Sequence, residues 1–192
     1  LSPIVAGMWR LREWRLDAPA LARWIEQALE LGITSFDHAD LYGDYGAEAA
    51  FGAALAASPG LRGRMQLVTK CGIKLVSPVR PSHAIKSYDS SRAHVLASVE
   101  NSLRALATDR IDLLLIHRPD WLAEPDELAR SFEELHRAGK VLHFGVSNHT
   151  PSQFALLHRR FALATNQIEF SPLRLAALSD GTLEQALDLG LP

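Results

Sequence analysis

Four side chains that can handle protons follow short apolar segments of this 192-residue sequence. Asp37 ends one apolar run, and Tyr42 follows it five residues later. Lys70 comes directly after a second run, and His117 after a third. The carboxyl ends of the strands of a parallel α/β fold meet at one face of the molecule. We therefore predict that Asp37, Tyr42, Lys70 and His117 form one site.

The chemistry of these residue types favours a proton-transfer site. A buried lysine needs a partner, and Asp37 is within reach if their strands are neighbours about 4.8 Å apart. A cation beside Tyr42 would stabilise its phenolate and bring the pKa of the phenol from about 10 towards neutrality. His117 could orient a substrate carbonyl or relay a proton.

Each residue also fits a structural role when it is taken alone. Asp37 could cap the following helix, Tyr42 could be ordinary loop packing, and His117 could bond to the backbone. Lys70 is harder to explain in this way, because it is one of four lysines and directly follows an apolar segment. The convergence of all four residues favours a catalytic site over four separate structural roles.

Apolar periodicity predicts the elements that position these residues. Six short runs without polar alternation predict strands covered on both faces, near residues 3–8, 33–37, 65–70, 111–116, 141–147 and 163–169. Helical spacing predicts three amphipathic helices, whose apolar stripes are Leu21–Trp24–Ile25–Ala28–Leu29, Val95–Val99–Leu103–Leu106 and Leu128–Phe132–Leu135. Asp17 is a candidate N-cap of the first helix, and Asp89, Ser90 and Ser91 are candidates for the second. Gly32 and Gly139 are candidate helix ends.

The order of the elements predicts an α/β fold made of repeated βαβ units. No linker divides the chain, so residues 1–192 are predicted to be a single domain. A doubly wound dinucleotide-binding sheet would need a glycine fingerprint after the first strand, and the sequence contains no G-x-G triplet. We therefore predict a (β/α)8 TIM barrel with about six of its eight strand–helix units present and its C-terminal part lacking. A longer native chain would cover the edges of strands one and six.

The composition excludes several classes of partner. Lys and Arg total 20 against 22 Asp and Glu, without a run of like charge, so neither nucleic acid nor a membrane surface is an expected partner. Cys71 is the only cysteine and no apolar stretch has the length of a membrane span, which together predict a cytoplasmic protein. The sequence does not indicate an oligomeric state.

The sequence resembles the aldo-keto reductase family, most closely a bacterial subgroup of poorly characterised oxidoreductases. The stretches that carry this resemblance are Phe36-Asp37-His38-Ala39-Asp40-Leu41-Tyr42-Gly43, Val68-Thr69-Lys70, Asp112-Leu113-Leu114-Leu115-Ile116-His117-Arg118-Pro119, Gly139-Lys140-Val141, Phe144-Gly145-Val146-Ser147-Asn148 and Asn166-Gln167-Ile168-Glu169. The resemblance implies reduction of a small aldehyde or ketone with NADPH, although NADH is not excluded. It makes Tyr42 the general acid, tuned by Lys70 and Asp37, with His117 orienting the carbonyl.

The resemblance also implies a set of cofactor and substrate contacts. Ser147, Asn148 and Gln167 match positions that hydrogen-bond the nicotinamide carboxamide, and amide and hydroxyl side chains suit that group. The alternative is that Ser147 and Asn148 end a strand and cap the next helix. Residues with a weaker match are Met8 and Arg10 as cofactor contacts, and Trp9 and Arg118 as walls of the substrate pocket; Trp9 could instead be core.

The sequence leaves two alternative functions undecided, and also the role of the cations in one loop. A metal-dependent hydrolase would use some of the eight histidines, but the sequence contains no H-x-H, H-E-x-x-H or paired-cysteine motif. A redox-sensing or regulatory protein would bind NADPH and turn over slowly. The segment from residue 71 to 87 is predicted to be an irregular, mobile wall of the pocket, in which Lys74, Arg80 and Lys86 either meet an acidic substrate or are simply solvated.

Overall fold

The structure is a computed structural model that describes residues 1–192, and it is built around a parallel sheet. The chain contains eight strands: β1 Val5–Gly7, β2 Ser35–Asp37, β3 Gln66–Cys71, β4 Ile73–Lys74, β5 Ser87–Tyr88, β6 Ile111–Ile116, β7 Val141–Ser147 and β8 Asn166–Gln167. Six of them form one parallel sheet in the order β1-β2-β3-β6-β7-β8. The six predicted strands are therefore confirmed. β1 and β8 are the two edges of the sheet and do not pair with each other.

Seven helices alternate with these strands or follow them. Their bounds are α1 Ala18–Glu30, α2 Tyr42–Tyr45, α3 Ala47–Ala57, α4 Arg92–Ala105, α5 Pro125–Arg137, α6 Pro151–His158 and α7 Thr182–Asp188. The three predicted amphipathic helices are confirmed as α1, α4 and α5. Two of the candidate caps are present, since Asp17 Oδ1 accepts from the Ala20 amide at 2.8 Å and Ser91 Oγ from the His94 amide at 3.4 Å. Asp89 and Ser90, the other candidates for α4, are not its N-cap. None of the helices is both long and apolar enough to cross a membrane.

The two faces of the sheet are buried in different ways. The outer face packs under the helices, in one cluster around β1–β3 with α1 and α3 and another around β6 and β7 with α4, α5 and α6. The inner face carries a smaller cluster of Val68, Leu113 and Leu115. These three side chains line an inner cavity of about 460 Å³ that lies between the β1 and β8 edges.

Two glycines allow the helices and strands to approach each other closely. A Cβ at Gly52 in α3 would overlap the carbonyl oxygen of Ala105 at the end of α4. A Cβ at Gly145 in β7 would lie 2.6 Å from the carbonyl oxygen of Thr165, just before β8. Backbone packing of this closeness excludes any larger side chain at either position.

The connection between β3 and α4 differs in part from the predicted irregular loop. β4 and β5 pair antiparallel at its base, with Ile73 opposite Tyr88 and Lys74 opposite Ser87. An ion pair between Lys74 and Asp89 stabilises this hairpin. Residues 75–86 between these strands contain no helix or strand, in line with the irregular connection that was predicted. The short hairpin itself was not predicted, because two-residue strands are too short to show an apolar periodicity.

Candidate active site

Lys70 is the most buried charged residue at the carboxyl edge of the sheet. It lies on the same face of β3 as Val68, two residues further on, and its side chain is only 2% exposed. The ammonium donates to Asp37 Oδ1 and Oδ2, both at 2.6 Å, and to the carbonyl oxygen of His38 at 2.9 Å. The predicted ion pair is therefore present. Burial lowers the pKa of Lys70, and the carboxylate of Asp37 opposes this shift.

Tyr42 lies over this ion pair. Its hydroxyl is 3.3 Å from Lys70 Nζ, and the ammonium is 5.1 Å from the centre of the phenol ring. Burial and the negative charge of Asp37 raise the pKa of Tyr42, while Arg118 opposes them. The pKa of Tyr42 therefore moves up rather than down as expected, because burial of the phenol, followed by the Asp37 charge, disfavours the phenolate. Tyr42 is therefore a protonated phenol at neutral pH, which is the form of a proton donor.

An unusual turn holds Tyr42 in place. Gly43, Asp44 and Tyr45 have φ values of 58°, 56° and 61°, so three successive residues are in the left-handed region. A Cβ at Gly43 would also overlap the side chain of Arg12. Tyr45 then connects the turn to the hairpin, since its hydroxyl accepts from the Leu75 amide at 2.9 Å.

His117 follows β6 and faces Tyr42. Its amide donates to the Cys71 carbonyl oxygen at 2.9 Å, and its ring lies 5.8 Å from the Tyr42 ring at an interplanar angle of 79°. Burial, followed by the charges of Lys70, Arg118 and Lys86, lowers the pKa of His117 to about 3. His117 Nδ1 is buried without a hydrogen-bond partner. A neutral imidazole of this kind has one N–H group with which it can orient a carbonyl oxygen.

The three predicted nicotinamide contacts lie at the ends of β7 and β8. Asn148 Nδ2 donates to Ser147 Oγ at 2.9 Å, and Asn148 Oδ1 accepts from the Glu169 amide at 2.9 Å. The alternative role in capping α6 is wrong for Ser147 and Asn148, because Thr150 is the N-cap of that helix. A hydroxyl and two amides at one wall present both donors and acceptors, and this set fits a carboxamide.

One cavity of about 590 Å³ brings most of the predicted site residues together. It is lined by Asp37, Tyr42, Lys70, His117, Ser147, Asn148, Gln167, Trp9 and Arg118, and by Leu41, Ile73, Leu75, Lys86, Tyr88, Ile168 and Glu169. Trp9 is 65% exposed, so its alternative role as a core residue is wrong. The segment 71–87, predicted as a wall of the pocket, supplies Ile73 and Leu75 to this cavity, whereas Tyr88, one residue beyond that segment, was not predicted.

Two predicted cofactor contacts lie outside this cavity. The Met8 side chain is fully buried in the cluster around α1 and α3, and it does not line the cavity. The Arg10 guanidinium lies 5.6 Å from the centre of the Trp9 ring on the exposed side of the loop. Neither side chain therefore lines the cavity that Ser147, Asn148 and Gln167 line.

A second layer of ionisable groups is buried next to Lys70. Glu48 Oε1 accepts from Thr69 Oγ1 at 2.6 Å, and the Asp40 amide donates to the Lys70 carbonyl oxygen at 3.0 Å. Burial raises the pKa of Glu48, and burial together with the Glu48 charge raises the pKa of Asp40 well above its usual range. The His38 ring is fully buried, and burial with the Lys70 charge lowers its pKa to about 3.

Comparison with known proteins assigns the chain to a family. Residues 3–191 match the sequence model of the aldo/keto reductase family. The chain belongs to the aldo/keto reductase family. No group of three His, Cys, Asp or Glu side chains in this aldo/keto reductase chain is arranged to hold a metal ion.

Individual aldo/keto reductase relatives support this assignment. The chain is 53% identical over 190 residues to the oxidoreductase YdhF of Escherichia coli, covering 98% of this chain and 63% of YdhF. It is 45% identical over 186 residues to a 6-dehydroglucose reductase of Agrobacterium fabrum, covering 95% of this chain and 63% of that reductase. The chain therefore spans less than two thirds of the length of these relatives.

A solved structure confirms the barrel architecture. The glycerol dehydrogenase AKR11B4 from Gluconobacter oxydans superposes with a TM-score of 0.83 at 32% sequence identity, over 97% of this chain and 57% of the dehydrogenase. The predicted fold class is confirmed as a parallel sheet of six strands that curves as part of an aldo/keto reductase TIM barrel.

Proposed function

We propose that this protein reduces an aldehyde or ketone to the corresponding alcohol, using a nicotinamide cofactor. The observation that supports this most directly is the ammonium of Lys70, which contacts the Asp37 carboxylate and the Tyr42 hydroxyl at the cavity that His117 also lines. Membership of the aldo/keto reductase family and the reductase and dehydrogenase names of its relatives support the same reaction.

The nicotinamide cofactor fits the side chains at the wall of the cavity. Ser147, Asn148 and Gln167 would hold its carboxamide, since their hydroxyl and amide groups offer both donors and acceptors. When bound, the cofactor supplies the hydride for the carbonyl carbon. We propose NADPH, with NADH as the alternative, and the family resemblance supports this choice.

In this mechanism the residues of the chain orient the carbonyl and provide the proton. His117 holds the carbonyl oxygen with its N–H group, and the Tyr42 hydroxyl donates its proton to the same oxygen. The phenolate that remains is stabilised by the Lys70 ammonium, 3.3 Å from the Tyr42 oxygen. Asp37 fixes the position of Lys70 and keeps it charged.

The identity of the substrate is a finer part of the proposal. The cavity combines apolar side chains with polar ones, which suits a small carbonyl compound that carries further polar groups. The name of the Agrobacterium fabrum relative makes a polyhydroxylated carbonyl one candidate. Arg118 in the wall of the cavity supports a polar substrate, because its guanidinium is a strong hydrogen-bond donor.

Tyr42→Phe in the full-length protein tests the role of the phenol. We expect cofactor affinity, measured by fluorescence titration with NADPH and NADH, to persist, because the ring is retained and only the hydroxyl is lost. Carbonyl reduction should fall by about 10²- to 10⁴-fold, the usual contribution of a general acid. An equal loss of cofactor binding and turnover would instead indicate a structural tyrosine.

A further inference from the structure

Two cations in the wall of the cavity have no counter-ion. Lys86, beside the hairpin strand β5, and Arg118, directly after His117, make no salt bridge and no side-chain hydrogen bond. The other charged groups of the wall are matched. Lys70 is paired with Asp37, and Glu169 lies 3.5 Å from Arg174. The wall of the cavity therefore carries three cations against two carboxylates, an excess of one positive charge, and the two cations without an ion-pair partner are Lys86 and Arg118.

Both cations line the same cavity as His117 and Tyr42. The positive charges of Arg118 and Lys86 each help to lower the pKa of His117, after burial and the Lys70 charge, and Arg118 also opposes the rise in the pKa of Tyr42. A ligand whose carbonyl oxygen contacts His117 would therefore share this cavity with Arg118, the next residue in the chain, and with Lys86.

The other basic residues of the hairpin are engaged elsewhere. Lys74 is paired with Asp89, and the Arg80 guanidinium lies 4.9 Å from the centre of the Tyr45 ring. Neither of them lines the cavity. Lys74, Arg80 and Lys86 were the three cations that the sequence indicated for an acidic substrate, and only Lys86 lines the cavity. Arg118, which follows His117 in the chain, is the second unpaired cation in its wall.

We propose that the carbonyl substrate carries an anionic group, a carboxylate or a phosphate, that Arg118 and Lys86 bind while His117 and Tyr42 hold the carbonyl oxygen. This inference rests on the proposed carbonyl reduction. Arg118 supplies the planar donor pair that matches two anionic oxygens, and Lys86 adds a point charge. The hydrocarbon part of the substrate would lie against Ile73 and Leu75 of the hairpin.

The test compares matched carbonyl compounds with the full-length protein. One pair is 4-oxobutanoate and its neutral methyl ester, and the other is glyceraldehyde 3-phosphate and glyceraldehyde. We expect kcat/KM for at least one anion to exceed that of its neutral partner by about tenfold or more, since hydrogen bonds between charged groups are stronger than those between neutral ones. The pair in which the anion is preferred more strongly over its neutral partner shows whether the anionic group is a carboxylate or a phosphate.

Substitutions locate this preference. Arg118→Gln and Lys86→Gln should each lower the ratio of kcat/KM for the anion to kcat/KM for its neutral partner. Arg118→Lys should keep part of this ratio, because lysine retains the positive charge but lacks the planar guanidinium group. The ratio cancels any effect that these changes have on the chemistry at His117. Arg130→Gln is the matched control, since Arg130 is an exposed cation of α5 outside the cavity, and its ratio should equal that of the wild type.

The outcomes separate this inference from the proposed function. Equal or better reduction of the neutral compounds would overturn the inference and leave the reductase proposal standing. If none of the four compounds is reduced with either NADPH or NADH, that result would count against the proposed function. In that case, calorimetric titration with 4-hydroxybutanoate and inorganic phosphate decides the anion site: binding that Arg118→Gln abolishes supports it, and no binding overturns it.

Discussion

At the residue scale, Lys70 determines the electrostatics of the site. A lysine that is 2% exposed is tolerated because its ammonium contacts both Asp37 oxygens and the His38 carbonyl oxygen. The same ammonium is the only cation in contact with the Tyr42 hydroxyl. Without it, a phenolate formed at Tyr42 would face the Asp37 carboxylate alone, and the charge on Asp37 already raises the pKa of Tyr42.

Lys70→Met in the full-length protein should therefore abolish proton transfer while the fold is retained. We expect single-turnover hydride transfer to fall by at least about 10²-fold, with an unchanged circular dichroism spectrum. Lys140→Met is the matched control, because Lys140 is paired with Glu100 on the surface and should retain full activity. Hydride transfer within a few-fold of the wild type in Lys70→Met would contradict the role of the ammonium in stabilising the Tyr42 phenolate.

The positions of the site residues could be predicted from the sequence, but their proton affinities could not. Asp37, Lys70 and His117 each follow a run of strand residues, so the topology alone brings them to one edge. The direction of the Tyr42 pKa shift depends on how deeply the ring is buried and on which of two charges is nearer. Both are properties of the packed structure, and the sequence contains no signal for either.

At the element scale, the predictable helices are those with an apolar stripe. α1, α4 and α5 have an apolar stripe, and α1 and α4 have a side-chain cap as well, whereas α3 has the sequence AEAAFGAALAA, which is apolar on nearly all sides. α3 packs against both α1 and α4, and its exposed positions are all alanines, so no polar stripe marks its outer face. The hairpin of β4 and β5 was not predicted, because its two-residue strands show no periodicity. Contacts from outside the hairpin, such as the hydrogen bond from the Leu75 amide to the Tyr45 hydroxyl, hold this region in place.

The packing of α3 depends on Gly52, where a methyl group would overlap the Ala105 carbonyl oxygen. We expect Gly52→Ala to lower the free energy of unfolding by about 1–3 kcal/mol, because overpacking outweighs the gain of about 1 kcal/mol in helix propensity. Chemical denaturation measures this change. Gly60→Ala is the control, since a Cβ there has nothing within 4 Å and should leave stability nearly unchanged. Equal effects of the two substitutions would show that α3 can shift away from α4.

At the scale of the whole molecule, buried ionisable groups give stability two opposite dependences on pH. His38 and His117 have a folded pKa of about 3 against 6.5 when unfolded, so the unfolded state binds more protons between these values. Stability from the histidines is therefore present above pH 6.5 and is lost as the pH falls towards 3. Asp40 and Glu48 have raised pKa values, so their contribution is lost as the pH rises above their ordinary values of 3.8 and 4.5.

His38→Leu and Glu48→Gln should therefore change the pH dependence of unfolding with opposite signs. Between pH 4.5 and 6, removal of His38 should lower the slope of unfolding free energy against pH by up to about 1.4 kcal/mol per pH unit, the value for one proton. Removal of Glu48 should raise the slope in the same range, because the folded state then loses a group that retains its proton. Urea titrations at several pH values measure both slopes, and changes of the same sign would contradict these assignments.

The inner cavity of about 460 Å³ has a consequence for the chemistry at its upper end. Asp37 lines this cavity as well as the larger one that contains Tyr42 and His117, so the carboxylate forms a wall common to both. Water in this space would weaken the attraction between Asp37 and Lys70, whereas packed side chains would strengthen it. Because the charge on Asp37 raises the pKa of Tyr42, a change in what fills the inner cavity would also change the acidity of the phenol.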